Sequence, residues 1–299
     1  MYDYFRVASP ILYEALIPPD VKARMAACAP EKSSKDELRI AIGARFNGAP
    51  IGIALIDVHK ILKTAAFYGL YLLPEHRQEG VGESLMEKAL EEIKNEGGNV
   101  CTFKYTQEDP DTPALEKILT ATHWKGPRPF MLRARFDPYT FDTPWMHYNY
   151  HWPPGYEEFF WRELSDKERI SVEEMEAQGR FPIALSPFHT PHKFEPMNSL
   201  GLRRNGSIVG WVITHRTDPD TVRYSSVFID RSLRDRGLIM KLLADSLLLH
   251  ARFPSKYALL EMPHQIVYPL WAHFIKKRLL PLAIDTTHLV EAWLPLNNH

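Results

Sequence analysis

Arg77-Gln78-Glu79-Gly80-Val81-Gly82 is the run whose residue types and spacing could do chemistry. It follows a stretch of strand character, residues 65–73, and opens an amphipathic stretch, residues 80–95. Glycines at a strand-to-helix junction let the backbone approach a ligand closely, and the free N–H groups of a helix start point at it. The helix dipole adds attraction for negative charge, so the run predicts a phosphate or pyrophosphate site. Its spacing is not G-x-G-x-x-G, and no Gly-Lys-Ser/Thr follows. The structural alternative is a helix entered through two glycines, with Arg77 solvated.

The elements that must position this run read as follows. Residues 38–45 and 51–58 are strand-like around the hairpin turn Asn47-Gly48, and residues 65–73 form a third strand. The helix over 80–95 places Val81, Leu85, Ala89, Leu90 and Ile93 on one side and Glu87, Lys88, Glu91 and Glu92 on the other. Gly97-Gly98 ends it. A strand over 100–105, a helix over 113–122 and a closing hairpin of 130–136 with 146–151 complete the pattern.

That pattern recurs. Gly43-Ala44-Arg45-Phe46-Asn47-Gly48-Ala49-Pro50-Ile51-Gly52 is echoed by Gly201-Leu202-Arg203-Arg204-Asn205-Gly206-Ser207-Ile208-Val209-Gly210, and Arg77-x-x-Gly80 by Arg234-x-x-Gly237. Two blocks in the same order at nearly the same offset predict two copies of one domain. Trp152-Pro153-Pro154-Gly155 marks the junction, giving domains 1–152 and 153–299. In the second copy, strands are expected over 156–161, 198–204, 208–216, 222–230, 257–262 and 287–294. Helices are expected over 165–178, 237–251 and 269–277, with Ser165 as an N-cap. The fold class is α/β, with a mixed sheet in each copy.

The stretch Leu72-Leu73-Pro74-Glu75-His76-Arg77-Gln78-Glu79-Gly80-Val81-Gly82 resembles the signature V-x-P-x-x-R/Q-x-x-G-x-G/A of the GCN5-related N-acetyltransferase (GNAT) superfamily. The order of elements around it is similar too, closely over about residues 1–150 and more weakly over 155–299. The resemblance implies a tandem GNAT-like protein and an N-acyltransferase that uses acetyl-CoA or another acyl-CoA as co-substrate. It implies that the backbone of Leu72 and Leu73 pairs with the pantetheine arm. The N–H groups of Gln78, Glu79, Gly80, Val81 and Gly82, beside Arg77, would hold the pyrophosphate. Val81 would pack inward, Gly82 would leave room where the ligand crosses the helix start, and Ser84 would offer a hydroxyl to phosphate. The second copy departs from this with Arg234-Asp235-Arg236-Gly237-Leu238-Ile239, where Ile239 would crowd a pyrophosphate. A degenerate domain and a second CoA site both stay open, since glycine N-acyltransferases have a similar R-x-x-G-L-V run and Arg231, Arg234 and Arg236 would suit an anion.

Acid and base groups are less legible. Amine attack on a thioester needs a base for the ammonium proton and is helped by an acid for the thiolate. Many GNAT enzymes use a glutamate on the fourth strand and a tyrosine on the helix after the fifth. Here residues 65–73 hold no carboxylate, and Leu119 stands where that tyrosine is expected. The substitutes are Tyr68, Tyr105 and Glu108, each with a structural role as the alternative. The odd spacing of Tyr68 and Tyr71 predicts opposite faces of the strand. His123, beside Trp124, reads as a packed histidine, and Glu261 and His264 occupy the equivalent strand end of the second copy. The aromatic cluster Trp145, Tyr148, Tyr150 and Trp152 reads as a seam between the copies or the lining of a cleft. His189 and His192 have no further spaced ligands, so no metal is expected.

Composition bounds the rest. The 299 residues are 45% hydrophobic and 24% charged, with 36 basic and 37 acidic side chains, a net charge of −1. That is a globular composition without the field that gathers nucleic acid. Cys28 and Cys101 offer no disulfide framework or zinc spacing. No secretory signal or bilayer-length apolar run stands out, which predicts a cytoplasmic protein without a membrane partner. The expected acceptor is a primary amine of a small molecule, an amino acid or a peptide. A homodimer is left open. The alternative of another class is a CoA-binding sensor or interaction protein without turnover. An aminoacyl-tRNA-dependent transferase is disfavoured by the intact pyrophosphate-binding run in the first copy.

Overall fold

The computed structural model describes residues 1–19, 21–22, 36–148, 151–188, 193–264 and 269–296, without the side chains of Asp235, Pro269 and Leu270. Cys28, Tyr150, His189 and His192 lie outside the described residues. The chain divides into two compact units, Met1–Phe130 with His288–His299, and Met131–Thr287.

Unit 1 is built on β1 (Tyr2–Arg6), β2 (Glu37–Phe46), β3 (Ala49–His59), β4 (Thr64–Leu72), α1 (Val81–Asn95), β5 (Val100–Thr106), α2 (Thr112–Ala121) and the start of β6 (Lys125–Phe136). Asn47 and Gly48 turn the β2–β3 hairpin with φ of 49° and 86°, as the Asn-Gly pair predicts. The sheet runs β1-β2-β3-β4-β5 and then the last strand of the chain, β12 (Asp285–Pro295). Among the described residues of this unit, β4 and β5 alone pair in parallel. Val81, Leu85, Met86, Ala89 and Ile93 of α1 pack on Ile40, Ile42, Ile56, Phe67 and Phe103. Each such buried aliphatic side chain contributes roughly 2 kcal/mol. On the opposite face, Tyr13 and Ile17 cover Ala41, Ile53 and Leu55. α1 ends as predicted: Gly97 N–H donates to the Lys94 carbonyl and Gly98 N–H to that of Ile93, the paired bonds of a Schellman motif.

The expected closing hairpin of unit 1 is different. Pro144–His147 is a 3-10 turn, not a strand, and Trp145 and Met146 are buried in the core of unit 2, with Trp145 against Phe274 at 5.4 Å between ring centroids. The strand beside β5 is β12, in register from Leu289↔Thr106 to Pro295↔Val100. Packing therefore divides the chain at Phe130 and returns at His288, whereas the sequence repeat divides it at 152/153.

Unit 2 contains β7 (Tyr156–Phe160), α3 (Asp166–Ala177), β8 (Leu200–Arg204), β9 (Ser207–Asp218), β10 (Thr221–Ile229), α4 (Leu238–His250), β11 (Tyr257–Pro263) and α5 (Pro269–Phe274). Its sheet runs β7-β8-β9-β10-β11, and residues Met131–Phe136 of β6 pair with β11. Again one pair among the described residues, β10 with β11, is parallel. α3 starts with a capping box: the Glu168 N–H donates to Ser165 Oγ, and the Ser165 N–H donates to the Glu168 carboxylate. α4 packs on Leu200, Leu202 and Val212, and α3 packs on Phe159, Trp211 and Ile213 of the other face. Trp152 also packs on the α4 side, whereas Tyr148 is exposed, so the two tryptophans of the aromatic cluster belong to the core of unit 2.

Candidate active site

The parallel ladder of unit 1 runs only from Thr64↔Val100 to Phe67↔Phe103, where the two phenylalanine rings stack at 5.5 Å. β4 continues to Leu72 and β5 to Thr106 without further pairing to each other, which leaves an opened edge between them. A bulge sits at the vertex. Leu55 pairs with Gly69 and Ile56 with Phe67, so Tyr68 is an extra residue. The bulge resets the alternation of side chains. Phe67, Leu70 and Leu72 face α1, while Tyr68 and Tyr71 both pack with Tyr13 and Leu55. The expectation that the two tyrosines take opposite faces is therefore corrected: strict alternation does not survive an inserted residue.

Beyond the vertex, the Leu73 N–H donates to the Ile51 carbonyl at 2.9 Å, so this amide belongs to the β3 side. The strand alternation then turns the backbone groups of Leu70 and Leu72 toward the opened edge. Of these, the Leu72 carbonyl accepts from Arg77 Nε at 3.3 Å. Arg77 also grips Asp111 with two bonds, at 2.7 and 3.0 Å. It ties the loop to the start of α2 instead of standing solvated.

The loop then turns twice through positive φ, at Gln78 (67°) and Gly80 (77°). A glutamine there is strained by about 1 kcal/mol or more, which points to a conformation kept for a purpose. Ser84 is the first residue of the helix to donate back, to the Gly80 carbonyl at 3.0 Å. The N–H groups of Val81, Gly82 and Glu83 thus have no acceptor within the helix. Val81 is buried in the core as expected, and Ser84 is half-buried one turn in. Glu79 accepts a hydrogen bond from the Tyr2 hydroxyl, which is pushed up to about 12 by that bond. Gly82 has a neighbour on the protein side as well. A Cβ there would lie 2.6 Å from Cδ1 of Ile118, so the glycine gives room to that side chain of α2. In unit 2 the equivalent Ile239 packs against the core around α4.

At the far side of the opening, the buried Tyr105 hydroxyl donates to Glu116 Oε1 at 3.1 Å. Burial and the neighbouring carboxylate raise its pKa, so it stays protonated. Glu108 is held by His288 through the backbone N–H, at 2.9 and 3.2 Å, and through Nδ1 at 2.5 Å. Glu108 is exposed, and the desolvation it meets raises its pKa, but the bonds from His288 outweigh it and the net shift is downward. Sequence reasoning missed His288, Glu116, Leu70 and Asp111. Asp111 alone carried a signal, as an acid near a motif arginine. Among the described residues no group of three metal-ligating side chains occurs, and no helix is long and apolar enough to cross a membrane.

Residues 9–116 match the acetyltransferase (GNAT) family. A tandem GNAT protein from the clavulanic acid biosynthesis pathway is similar over 100% of both chains, at 14% identity and a TM-score of 0.67. A GCN5-related N-acetyltransferase from Sphaerobacter thermophilus is similar over 99% of this chain and 96% of its own, at 17% identity and a TM-score of 0.61. A GCN5-related glucosamine N-acetyltransferase region of a fungal multi-domain beta-N-acetylglucosaminidase covers 98% of this chain and 38% of its own, at 12% identity and a TM-score of 0.57. No curated protein matches.

Proposed function

We propose that the chain is a tandem member of the GNAT superfamily of acyl-CoA N-acyltransferases, and that unit 1 moves an acyl group, in the first instance acetyl, from acyl-CoA to a primary amine. The observation that carries this reading is the ladder that stops at Phe67↔Phe103 and leads through Gln78 and Gly80 to the unpaired amides of α1. The pantetheine arm would add to β4 as a strand beside Leu70 and Leu72. The diphosphate would sit on the N–H groups from Gln78 to Glu83, where the helix dipole favours negative charge.

The acceptor would be a small molecule, an amino acid or a peptide, with its amine reaching the thioester at the Tyr68 bulge. As the C–N bond forms and the C–S bond breaks, the ammonium proton must leave and the thiolate must gain one. The Glu108–His288 pair is suited to take the first, because a carboxylate on Nδ1 orients the imidazole and stabilises its charged form. Tyr105 stays protonated, and its hydroxyl, given to Glu116, would have to turn to the thiolate to supply the second. The test is release of CoA thiol from acetyl-CoA with a panel of primary amines, together with calorimetric titration of CoA. Amine-dependent release and binding of CoA are the expected results. Binding without release under any amine would favour a CoA sensor, and no binding would remove the reading altogether.

A further inference from the structure

Unit 2 repeats the opened parallel pair, and the residues at its vertex form a hydrogen-bonded chain of another kind. The β10–β11 ladder runs from Thr221↔Tyr257 to Tyr224↔Leu260 and stops. Tyr224 pairs with Thr214 and Ser226 with Ile213, so Ser225 is the inserted residue, at the place Tyr68 holds in unit 1. The first residues past the last pair are Ser225 on β10 and Glu261 on β11. Ser225 Oγ lies 2.9 Å from Nδ1 of His215 and accepts from Arg223 Nε at 3.0 Å. Arg223 Nη1 donates to Glu261 Oε2 at 3.2 Å, and Arg133 Nε donates to Oε1 at 2.8 Å. His215 is only 2% exposed, whereas Ser225 is half-buried.

The donor inventory decides what this chain can do. Arginine Nε is only a donor, so Ser225 Oγ must accept there and keeps its own proton to give. With His215 as its Nε2–H tautomer the better acceptor is Nδ1, whereas with Nδ1 protonated the ring donates to Oγ instead. The Arg223 carbonyl, at 3.4 Å, is the weaker alternative. A hydroxyl whose proton rests on an imidazole and whose oxygen faces a guanidinium is an activated nucleophile: the base removes the proton and the cation stabilises the alkoxide. Glu261, shared by two arginines, holds Arg223 in place.

We propose that unit 2 is a second acyl-transfer centre in which Ser225 takes the acyl group from an acyl-CoA, with His215 as its base. Ser225 Oγ adds to the thioester carbonyl, the O–C bond forms and the C–S bond breaks. The hydroxyl proton passes to His215 Nδ1 and then to the thiolate, giving free CoA and a serine ester. A primary amine or water then attacks that ester, the ester C–O bond to serine breaks, and the proton the nucleophile gives up passes through His215 to the serine oxygen. The loop that would receive the CoA diphosphate turns through Gly237, with φ of 70°, into the 13-residue α4, and Ile239, partly buried, packs against the core. No residue of unit 1 takes part, so this proposal fails or holds apart from the one above.

The test uses the full chain, incubated with acetyl-CoA or, as a CoA-independent donor, with p-nitrophenyl acetate. Acid-quenched peptides are then weighed. The expected result is one acetyl group on Ser225 from both donors, none in Ser225→Ala, and a thioester adduct released by hydroxylamine in Ser225→Cys. His215→Gln should slow labelling by about 10²-fold or more while the circular dichroism spectrum is kept. Because His215 is buried, a variant that fails to fold leaves the decision to the two Ser225 variants. Absence of label on Ser225, label from p-nitrophenyl acetate alone, or an unchanged rate in folded His215→Gln would overturn the proposal.

Discussion

The Glu108 carboxylate lies 2.5 Å from Nδ1 of His288, a residue 180 positions later in the chain. The Gln107 N–H donates to the His288 carbonyl at 2.8 Å beside it. The last strand of the chain thus closes the sheet of unit 1 and brings an imidazole to its carboxylate in one step. Val290 and Ala292 of the same strand lie in the core that holds Phe103 and Tyr105.

A chain ending at residue 152 would keep every residue of the first sequence repeat yet lose β12. It would leave β5 as a bare edge and uncover one side of the Phe103 and Tyr105 core, which invites pairing with other chains. We expect residues 1–152 to elute as aggregate, because β12 is lost and Trp145 and Met146 leave the core of unit 2, and residues 1–130 with residues 285–296 fused behind them to give a monodisperse peak. Size-exclusion chromatography with light scattering measures both. A well-behaved 1–152 fragment with native circular dichroism would contradict the role given to β12.

The His288 bonds lower the Glu108 pKa despite desolvation, so its contribution to unit 1 is present above the ordinary carboxylate range, about 4.3. It is lost as pH falls through the lower folded value. Carbon-detected NMR titration should find Glu108 below that range in the native protein and closer to it in His288→Ala. If the pair is the base, His288→Ala also lowers kcat by about 10²-fold with little change in KM. An unchanged kcat would leave His288 a structural partner only.

Local chemistry was legible and chain-distant closure was not. Asn47-Gly48, Gly97-Gly98 and Ser165 announce their turn and caps because each conformation is set by one or two residues. The opened edge was implied only through the resemblance, and its vertex was misjudged because an inserted residue at Tyr68 leaves no mark in hydrophobic periodicity. β12 was readable as a strand, but nothing in its own residues says that it pairs with β5. His288 was unreadable for that reason. Gly82 shows the reverse case, a motif glycine whose neighbour is a helix.

The two motif glycines should separate in mutation. Gly82→Val drives a side chain into Ile118 and should cost about 2 kcal/mol of stability. Shortening Ile118 to Ala in the same protein should recover most of that loss and any CoA affinity lost with it. At Gly80 a Cβ meets only Glu83 Oε2, at 3.6 Å, but the φ of 77° disfavours a branched residue. Gly80→Val should therefore weaken CoA binding at least about tenfold, roughly 1.4 kcal/mol, with no rescue by Ile118→Ala. Urea melts and calorimetry read the two effects. Failure of Ile118→Ala to restore CoA binding in Gly82→Val, once stability is restored, would return Gly82 to the ligand.

Acid should act on unit 2 through His250, which is fully buried. Its Nδ1 lies 3.1 Å from the Tyr224 hydroxyl and its Nε2 2.5 Å from Ser255 Oγ, and its ring stacks on Phe253 at 4.9 Å. Burial, with Arg216 as a smaller cause, pushes its pKa down to about 4. The unfolded chain takes up the proton near 6.5, so stability from neutral His250 is complete above that pH and drains away as pH falls toward 4. The loss reaches about 3 kcal/mol at most. Glu158 works in the opposite sense over the same window, because burial and Asp245 hold its pKa up to about 8 and its protonated form gains as pH falls. The informative quantity is therefore the difference between wild type and His250→Gln, measured by urea unfolding from pH 7.5 to 4.5. We expect the wild type to lose stability faster with acid than the variant, and parallel pH profiles would show that His250 is not the acid-sensitive group.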